Sequence, residues 1–218
     1  MRATAAPARR GRPRTPLAPR ARPQQERARQ TVAHLLDVAG RLLDEVGLAG
    51  FNTNLLAARA DVRVRTVYRW FPNKHAVVVA LARRMAEEWD GWLDLDALAD
   101  PRTDWRRAWG AHVRRFAEGV RALPGGLAVR RAMQSSPELR AVDQEDNARL
   151  AALLAAALRR RGVRLSARRA AVVARTLIET AVAVIDLALL DDAGAAPSYL
   201  EELARMHLAY LAPLVPSR

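Results

Sequence analysis

Apolar residues recur at three- and four-residue spacing along most of this 218-residue chain, and no other feature constrains its fold as strongly. The first such series begins near Gln24 and follows the i, i+3, i+4, i+7 pattern of an amphipathic helix: Val32, Leu35, Leu36, Ala39, Leu42, Leu43 and Val46. No segment has the strict alternation of a β-strand, and no internal repeat is visible. The sequence therefore predicts an all-α protein.

Glycine, proline and N-cap residues divide this pattern into helices. Gly47 ends the first helix, and Asn52 and Thr53 supply the N-cap of a short second helix over residues 54–60. A third covers 64–71 and stops at Pro72, because proline cannot continue a helix. We expect six further helices, with limits near 74–93, 101–123, 126–134, 137–162, 166–190 and 198–214.

The chain is strongly basic, with a formal net charge of +13, and this favours an anionic partner such as nucleic acid or an anionic membrane surface. Residues 1–30 hold nine arginines and one glutamate. Residues 1–23 also hold five prolines and show no periodicity, so we expect a disordered basic arm. Such an arm is either a solvated tail or a segment that contacts DNA phosphates or enters a minor groove.

Composition argues against most kinds of catalytic or metal site. The absence of cysteine excludes disulfides and thiolate metal sites. The four histidines, at positions 34, 75, 112 and 207, have no metal-ligand spacing, and no glycine-rich phosphate loop is present. We therefore expect no catalytic residue, no metal site and no cofactor.

The longest apolar run, residues 170–190, is a poor membrane span because it contains Arg175, Glu179 and Asp186. Each such charge costs about 2.5–3.5 kcal/mol near the centre of a bilayer. The basic N-terminus is not followed by the apolar region of a secretion signal. We expect a buried helix there, no membrane partner and a location in the cytoplasm.

The third helix lies in the stretch VRVRTVYRWFPNK, residues 62–74, which mixes arginines with large aromatics. At ~100° per residue, Val67 and Phe71 lie within ~40° of each other and can pack on the first helix. On the opposite side lie Arg65, Tyr68 and Arg69, with Thr66 and Trp70 on the flank. This division predicts a helix-turn-helix whose last helix enters the major groove of DNA.

The stretch GFNTNLLAARADVRVRTVYRWFPNKHAVV resembles the DNA-binding domain of tetracycline-repressor (TetR) type regulators, and the resemblance extends over about residues 30–80. The matching positions are Gly47, Asn52-Thr53-Asn54, Leu56-Ala57, Ala60, Val62, Thr66-Val67-Tyr68 and Trp70-Phe71-Pro72-Asn73-Lys74. The resemblance implies phosphate contacts from the start of the second helix and from the flank of the third: Asn52, Thr53, Thr66, Trp70 and Lys74. It implies base-facing positions at Val64, Arg65, Tyr68 and Arg69.

Two residues depart from the family pattern. Asp61 stands where the family often has glycine, so it needs a positive φ, which aspartate tolerates better than most residues. Arg63 stands where the family often has a small hydroxyl residue. It therefore loses a side-chain N-cap, at a cost of about 1 kcal/mol, but offers an additional phosphate contact.

The resemblance also implies that the C-terminal part binds a small molecule and dimerises. The domain limits expected are 1–23 for the arm, 24–78 for the helix-turn-helix domain and 79–218 for the ligand-binding and dimerisation domain. The helix 166–190 is apolar nearly all round, and the helix 198–214 has an apolar face. Two such helices from each subunit predict a homodimer with a four-helix interface, and the alternative is the core of a monomer.

The expected effector is a small apolar or aromatic molecule. Its candidate contacts lie on helices that surround the predicted pocket: Trp89, Trp92, Trp105, Trp109, His112, Phe116 and Met133. For any single one of them, the favoured interpretation is an ordinary core residue. Glu179, with Arg130 and Arg131, is a candidate for orienting a polar group of the ligand.

These observations predict a sequence-specific, ligand-responsive transcriptional regulator, a repressor that an effector releases from a double-stranded DNA operator. One alternative is an architectural DNA-binding protein that uses its basic arm without sequence preference. The other is a helical enzyme acting on a small molecule.

Overall fold

The computed structural model describes residues 15–21, 23–90, 94–191 and 194–216, excluding the side chains of Trp89 and Asp90. Within these ranges every regular element is an α-helix, which confirms the all-α prediction. No helix of the described ranges combines the length and the apolar character that crossing a bilayer requires. The helices are α1 (Glu26–Gly50), α2 (Thr53–Arg59), α3 (Val64–Trp70), α4 (Lys74–Asp90), α5 (Leu95–Ala99), α6 (Trp105–Ala122), α7 (Gly126–Met133), α8 (Pro137–Arg160), α9 (Ala167–Leu190) and α10 (Ala196–Leu211).

Local capping chemistry sets most helix limits close to the predicted ones. Asn52 accepts a hydrogen bond from the Leu55 N–H at 2.9 Å, and Ser166 accepts one from the Arg169 N–H at 3.2 Å. The helix expected from residue 101 begins at Trp105 instead, because the Asp104 carboxylate caps it by accepting from the N–H groups of the two residues after Trp105. The short helix α5 was not predicted.

Helices α1 to α4 form a compact unit around a core of fully buried side chains. Val67 and Phe71 of the third helical segment are 0% and 1% exposed, so the predicted inward side of α3 is confirmed. They pack with Leu35, Leu42, Phe51, Leu56 and Val77. This core continues past residue 78, since Leu81, Met85, Val129 and Met133 belong to it as well.

A second core lies between α5, α6, α8, α9 and α10. Its largest fully buried members are leucines of three different helices, namely Leu154, Leu177, Leu203 and Leu211. The α8–α9 and α9–α10 pairs form its most extensive contacts. The long apolar helix α9 is therefore the centre of the C-terminal bundle.

Helix α7 joins the two parts, because it packs on α1 and α4 of the first unit and on α6 and α8 of the C-terminal bundle. At its N-terminal end, the backbone of Gly125 lies directly against that of Gly40 on α1. A Cβ atom on Gly40 would lie 2.5 Å from the Pro124 carbonyl oxygen, and one on Gly125 would lie 2.6 Å from the Gly40 Cα. Asp44 completes this contact by accepting a hydrogen bond from the Gly125 N–H at 2.6 Å.

Candidate nucleic-acid interface and ligand cleft

The turn between α2 and α3 aims the third helix outward. Asp61 adopts φ 53°, and it is the one non-glycine residue of the described chain with a positive φ, as the departure from the family pattern predicts. Arg63 occupies the N-cap of α3 and makes no capping hydrogen bond with its side chain. Its exposed guanidinium is therefore available to a ligand rather than engaged with the helix backbone.

Most of the residues predicted to contact DNA share one exposed surface. Six of them are exposed, with their side chains along the start of α2 and the outer side of α3: Asn52, Arg63, Val64, Arg65, Tyr68 and Arg69. Thr66 is half-buried on the flank. The exposed set contains three arginines, so this surface is positively charged and has the width of a single short helix.

Two of the predicted DNA contacts, Thr53 and Trp70, are buried instead. Thr53 donates a hydrogen bond from its hydroxyl to the phenolic oxygen of Tyr68, at 3.0 Å. Trp70 is 6% exposed and packs in the first core, with the Arg69 guanidinium 5.1 Å above its ring. Thr53 therefore positions Tyr68, and Trp70 positions Arg69, while little of either buried side chain is accessible to DNA.

Lys74, at the start of α4, is half-buried, and its ammonium donates a hydrogen bond to the Leu48 carbonyl oxygen at 2.9 Å. An ammonium group has three donors, so this bond leaves two for a phosphate. The bond also joins α4 to the end of α1, next to the kink at Gly47.

Residues 16–20, which we call the docked segment, lie across the turn between α3 and α4. The Arg20 N–H donates to the carbonyl oxygen of Trp70, the last residue of α3, at 2.8 Å. The Asn73 side-chain amide donates to the Pro16 carbonyl oxygen at 2.9 Å, and Leu17 packs against the first core. The rest of the predicted arm, residues 1–14 and Arg22, lies outside the described residues.

A groove between the start of α1 and α3 was not predicted from the sequence. Gln25, Arg27 and Thr31 line it from α1 and its N-cap, opposite Arg65 and Arg69. The signal available in the sequence was the arginine in the first turn of α1, since cationic side chains beside a recognition helix are suited to phosphate. The positive surface of α3 therefore continues onto α1.

A cleft of about 70 Å³, partly open to solvent, lies in the C-terminal part between α4, α6, α7, α8 and α9. This volume is below the about 300–1,000 Å³ usual for small-molecule sites, and the adjoining outer cleft of about 480 Å³ provides the remaining space for a ligand. Two predicted ligand contacts, His112 and Phe116, line it, together with the apolar residues Leu150, Ile178 and Ile185. Met133, which is nearly buried, lines a neighbouring outer cleft instead.

Polar groups line one side of the cleft. Arg130 is buried and forms a bidentate ion pair with Asp186 of α9, with Nη2 3.0 Å from Oδ2. Asn147 donates to Glu179 at 3.5 Å, and Glu179 also pairs with Arg175 at 2.5 Å. Glu179 therefore approaches the cleft through Asn147 rather than lining it.

Two of the four predicted tryptophans, Trp105 and Trp109, do not line the cleft. Trp105 and Trp109 are buried in the second core, 7% and 3% exposed, because their helical positions face that core rather than the cleft. The Trp92 prediction falls outside the described residues, as does the side chain of Trp89.

Trp109 instead begins a buried chain of hydrogen bonds that the sequence did not indicate. Its indole N–H donates to Nδ1 of His207 at 3.2 Å, and Nε2 of His207 lies 2.8 Å from the Thr180 hydroxyl. The Thr180 hydroxyl in turn donates to the Thr176 carbonyl at 2.7 Å. His207 must then be neutral with its proton on Nε2, and its burial lowers its pKa from 6.5 to about 4.

One surface of the C-terminal bundle is apolar and exposed. On α9, Val172 is 57% exposed, and Leu187 and Leu190 are nearly as open. These three positions lie within ~60° of one another around the helix. On the neighbouring helix α10, Met206 and Tyr210 are also exposed, and these five residues are called the apolar patch below. Leu203 and His207 of α10 are buried in the core, so this part of the predicted apolar face of the helix is not available to a second subunit.

Among the described residues, no group of three or more histidine, aspartate or glutamate side chains is arranged to hold a metal ion.

The sequence matches two family descriptions. Residues 35–81 match bacterial regulatory proteins of the tetR family, and residues 104–211 match the tetracyclin repressor-like C-terminal domain. Together the two matches extend from the middle of α1 to the end of α10.

Solved structures of similar proteins cover nearly the whole chain. A TetR-family transcriptional regulator from Streptomyces coelicolor is 26% identical, with a TM-score of 0.62 over 85% of this chain and 99% of its own. A second TetR-family member, from Streptomyces coelicolor A3, is 25% identical, with a TM-score of 0.62 over 86% and 99%. The multidrug binding protein EbrR, solved with imidazole, is 26% identical, with a TM-score of 0.60 over 86% and 96%. Comparison with curated protein sequences gave no match.

Proposed function

The chain belongs to the TetR family of transcriptional regulators, and from that premise we propose that it is a repressor that a small-molecule effector releases from its DNA operator. Proteins of this family are in general DNA-binding regulators without enzymatic activity. The proposed domains are the basic arm of residues 1–23, the helix-turn-helix domain of 24–78 and the ligand-binding and dimerisation domain of 79–218.

The observation that carries this proposal is the division of α3 into two sides. Val67 and Phe71 are fully buried, while Arg65, Tyr68 and Arg69 are exposed on the opposite side. A helix fixed from behind in this way presents its outer side chains at constant positions, which base recognition in the major groove requires. Arginine suits guanine edges, and tyrosine offers both a ring for a thymine methyl and a hydroxyl for a phosphate.

Phosphate contacts are proposed around this helix. Asn52, Arg63, Thr66 and Lys74 have side chains at its margins, and Arg27 adds a cation from α1. The docked segment, which is part of the proposed arm, lies beside the C-terminal end of α3. Contacts of this kind position the protein on DNA without reading its sequence.

The exposed apolar patch of α9 and α10 supports a homodimer. A row of large apolar side chains on two adjacent helices is unfavourable in water and is typical of an interface. If the same patch of a second subunit covers it, four helices pack around a two-fold axis. The two recognition helices then contact half-sites about 34–36 Å apart, or a multiple of that distance.

The cleft beside Phe116 is the proposed effector site. It borders α4, the helix that connects the DNA-binding unit to the bundle, through Ala86. EbrR, to which this chain is similar, is described as a multidrug binding protein. An effector that binds the cleft more tightly in one orientation of α4 than in another shifts the population of the DNA-binding form.

The proposal is tested by selecting genomic fragments with the purified protein and footprinting the fragments recovered. We expect a discrete protected site with two related half-sites. The matched control is the Arg65→Ala, Tyr68→Ala double variant, which should melt only slightly below the parent and lose the selection. Uniform protection of any fragment by both proteins would instead favour the architectural alternative.

A further inference from the structure

The effector cleft is negatively charged although the chain as a whole is strongly basic. Four carboxylates and three arginines line it or the outer cleft that adjoins it: Glu87, Asp143, Glu145, Asp146, Arg83, Arg130 and Arg149. Asp186 adds a further carboxylate immediately behind Arg130. The net charge of these two clefts is therefore negative, whereas the net charge of the whole chain is positive.

The arginines next to the cavity are occupied by carboxylates. Arg130 is held by both oxygens of Asp186. Arg149 lies 3.0 Å from Asp146 through Nη2 and donates to it through Nε at 3.1 Å. An anionic ligand would have to displace one of these carboxylates, and displacing Asp186 would leave a buried charge without its partner, which is unfavourable.

The inner cleft is lined by two carboxylates, and with Asp146 paired to Arg149 the one without an arginine partner is Asp143. It lines both clefts and accepts one hydrogen bond, from the Gln134 side-chain amide at 2.9 Å. No described arginine or lysine forms an ion pair with it. Burial raises the pKa of its carboxyl above the ordinary value, against the opposing influence of Arg130 and Gln134. The carboxylate thus lacks a counter-charge of its own.

The rest of the inner cleft is suited to an apolar body. Phe116, Leu150, Ile178, Val182 and Ile185 form its wall. A ligand that fits must combine a large apolar surface with one group that the Asp143 carboxylate attracts.

We propose that the effector is a lipophilic organic cation whose positive charge lies beside Asp143 and whose apolar part packs on the wall that contains Phe116 and Ile178. This proposal rests on the proposed function, since it names the class of molecule that the same cleft recognises. A neutral ligand makes only the apolar contact, and an anion is repelled by Asp143, so charge decides selectivity among ligands of one shape.

The test uses three probes of similar shape and different charge: tetraphenylphosphonium (cation), triphenylphosphine oxide (neutral) and tetraphenylborate (anion). Their affinities for the full chain are measured by calorimetry, and their effect on binding to the selected DNA is measured by fluorescence anisotropy. We expect the cation to bind at least tenfold more tightly than the neutral probe and to release the DNA. Asp143→Asn should lower the affinity for the cation about tenfold and leave the neutral probe unchanged.

Glu145→Gln is the matched control, because it removes one negative charge from the outer cleft without touching the inner one. It should leave the affinity for the cation within about twofold of the parent. An equal loss in both variants would mean that net charge alone sets the affinity and would overturn the assignment to Asp143. Cation binding that is absent at millimolar concentration, or no tighter than that of the other two probes, would overturn the proposal as well.

Different results would contradict the proposed ligand class and the proposed function. Release of DNA by the neutral or the anionic probe, but not by the cation, would overturn the cation proposal and leave a ligand-responsive regulator of another ligand class. DNA binding that no cleft ligand alters would remove the sensor role itself.

Discussion

The Thr53 hydroxyl on α2 donates a hydrogen bond to the phenolic oxygen of Tyr68 on α3, at 3.0 Å. This bond joins the two helices of the helix-turn-helix at the surface proposed to face DNA. Because the Tyr68 oxygen accepts it, the phenolic proton is free to point outward as a donor. One buried hydroxyl thus fixes the position and the polarity of a residue that is 39% exposed.

We expect Arg65→Ala to leave thermal melting nearly unchanged, since its side chain is exposed, and Tyr68→Ala to lower it slightly, since the Thr53 hydroxyl loses its acceptor. Each should cost about 1–3 kcal/mol at the operator if it contacts a base edge, and relax the base preference at one position per half-site. Tyr68→Phe removes the hydroxyl and keeps the ring, so it should weaken DNA binding less than Tyr68→Ala does. Melts and titrations with operator and scrambled DNA check this, and parent-like operator affinity in both alanine variants would contradict the assignment of α3.

Phe71→Ala should have the opposite profile, because this ring is fully buried in the core of the DNA-binding unit. Removing a buried phenylalanine side chain costs about 3–5 kcal/mol, so the domain should unfold at a lower denaturant concentration and lose specific and non-specific DNA binding together. Chemical denaturation with a circular dichroism readout measures the loss. A stable Phe71→Ala variant would show that the inward side of α3 is assigned wrongly.

Deleting residues 1–14 should weaken binding to all DNA and flatten its salt dependence, by about 0.9 in the log–log slope for each phosphate that the arm no longer neutralises. This deletion removes five arginines and keeps the docked segment. Deleting residues 1–20 removes the docked segment too, so it should also lower the melting temperature, because Leu17 leaves the first core. An unchanged slope after either deletion would rule out a DNA-binding arm.

Stability should fall at acid pH through His207. Its folded pKa, about 4, lies below the ordinary value of 6.5, so the unfolded state takes up a proton first as the pH falls. The contribution of this residue is therefore complete above pH 6.5 and declines toward pH 4, by at most about 1.4 kcal/mol per pH unit. His207→Asn keeps an acceptor for the Trp109 N–H and should remove this part of the pH dependence. Parallel curves for parent and variant would contradict it.

Val172→Glu should disrupt the proposed dimer, because the two-fold axis places the new charge in the interface twice. We expect the dimer dissociation constant to rise at least tenfold by sedimentation, with loss of operator binding and little change in the helical content. Val46→Glu, at an exposed apolar position of α1, is the control and should sediment like the parent. A parent protein that is monomeric at micromolar concentration and still binds its operator tightly would refute the dimer.

Periodicity and capping predicted nearly all the helices, because both are local. The inward side of α3 and the positive φ of Asp61 followed from spacing and from one departure from the family pattern. The residues that line the cleft could not be predicted in the same way, because a tryptophan such as Trp109 has the same helical spacing whether it faces a cleft or a core. Its hydrogen bond to His207 joins residues 98 positions apart, and nothing in the sequence near either one indicates the other.

The direct contact of Gly40 with Gly125 has a consequence for the time scale on which the two parts separate. No side chain lies between these backbones, so α1 cannot slide past the turn before α7 without breaking the Asp44 hydrogen bond. The amides of residues 38–44 and 125–130 should therefore exchange with solvent deuterium in one cooperative opening event. Slow exchange with the same rate in both segments would show that α1 and the turn before α7 open together. In the Gly40→Ala variant the two segments should exchange at different rates, because the added Cβ separates the two backbones.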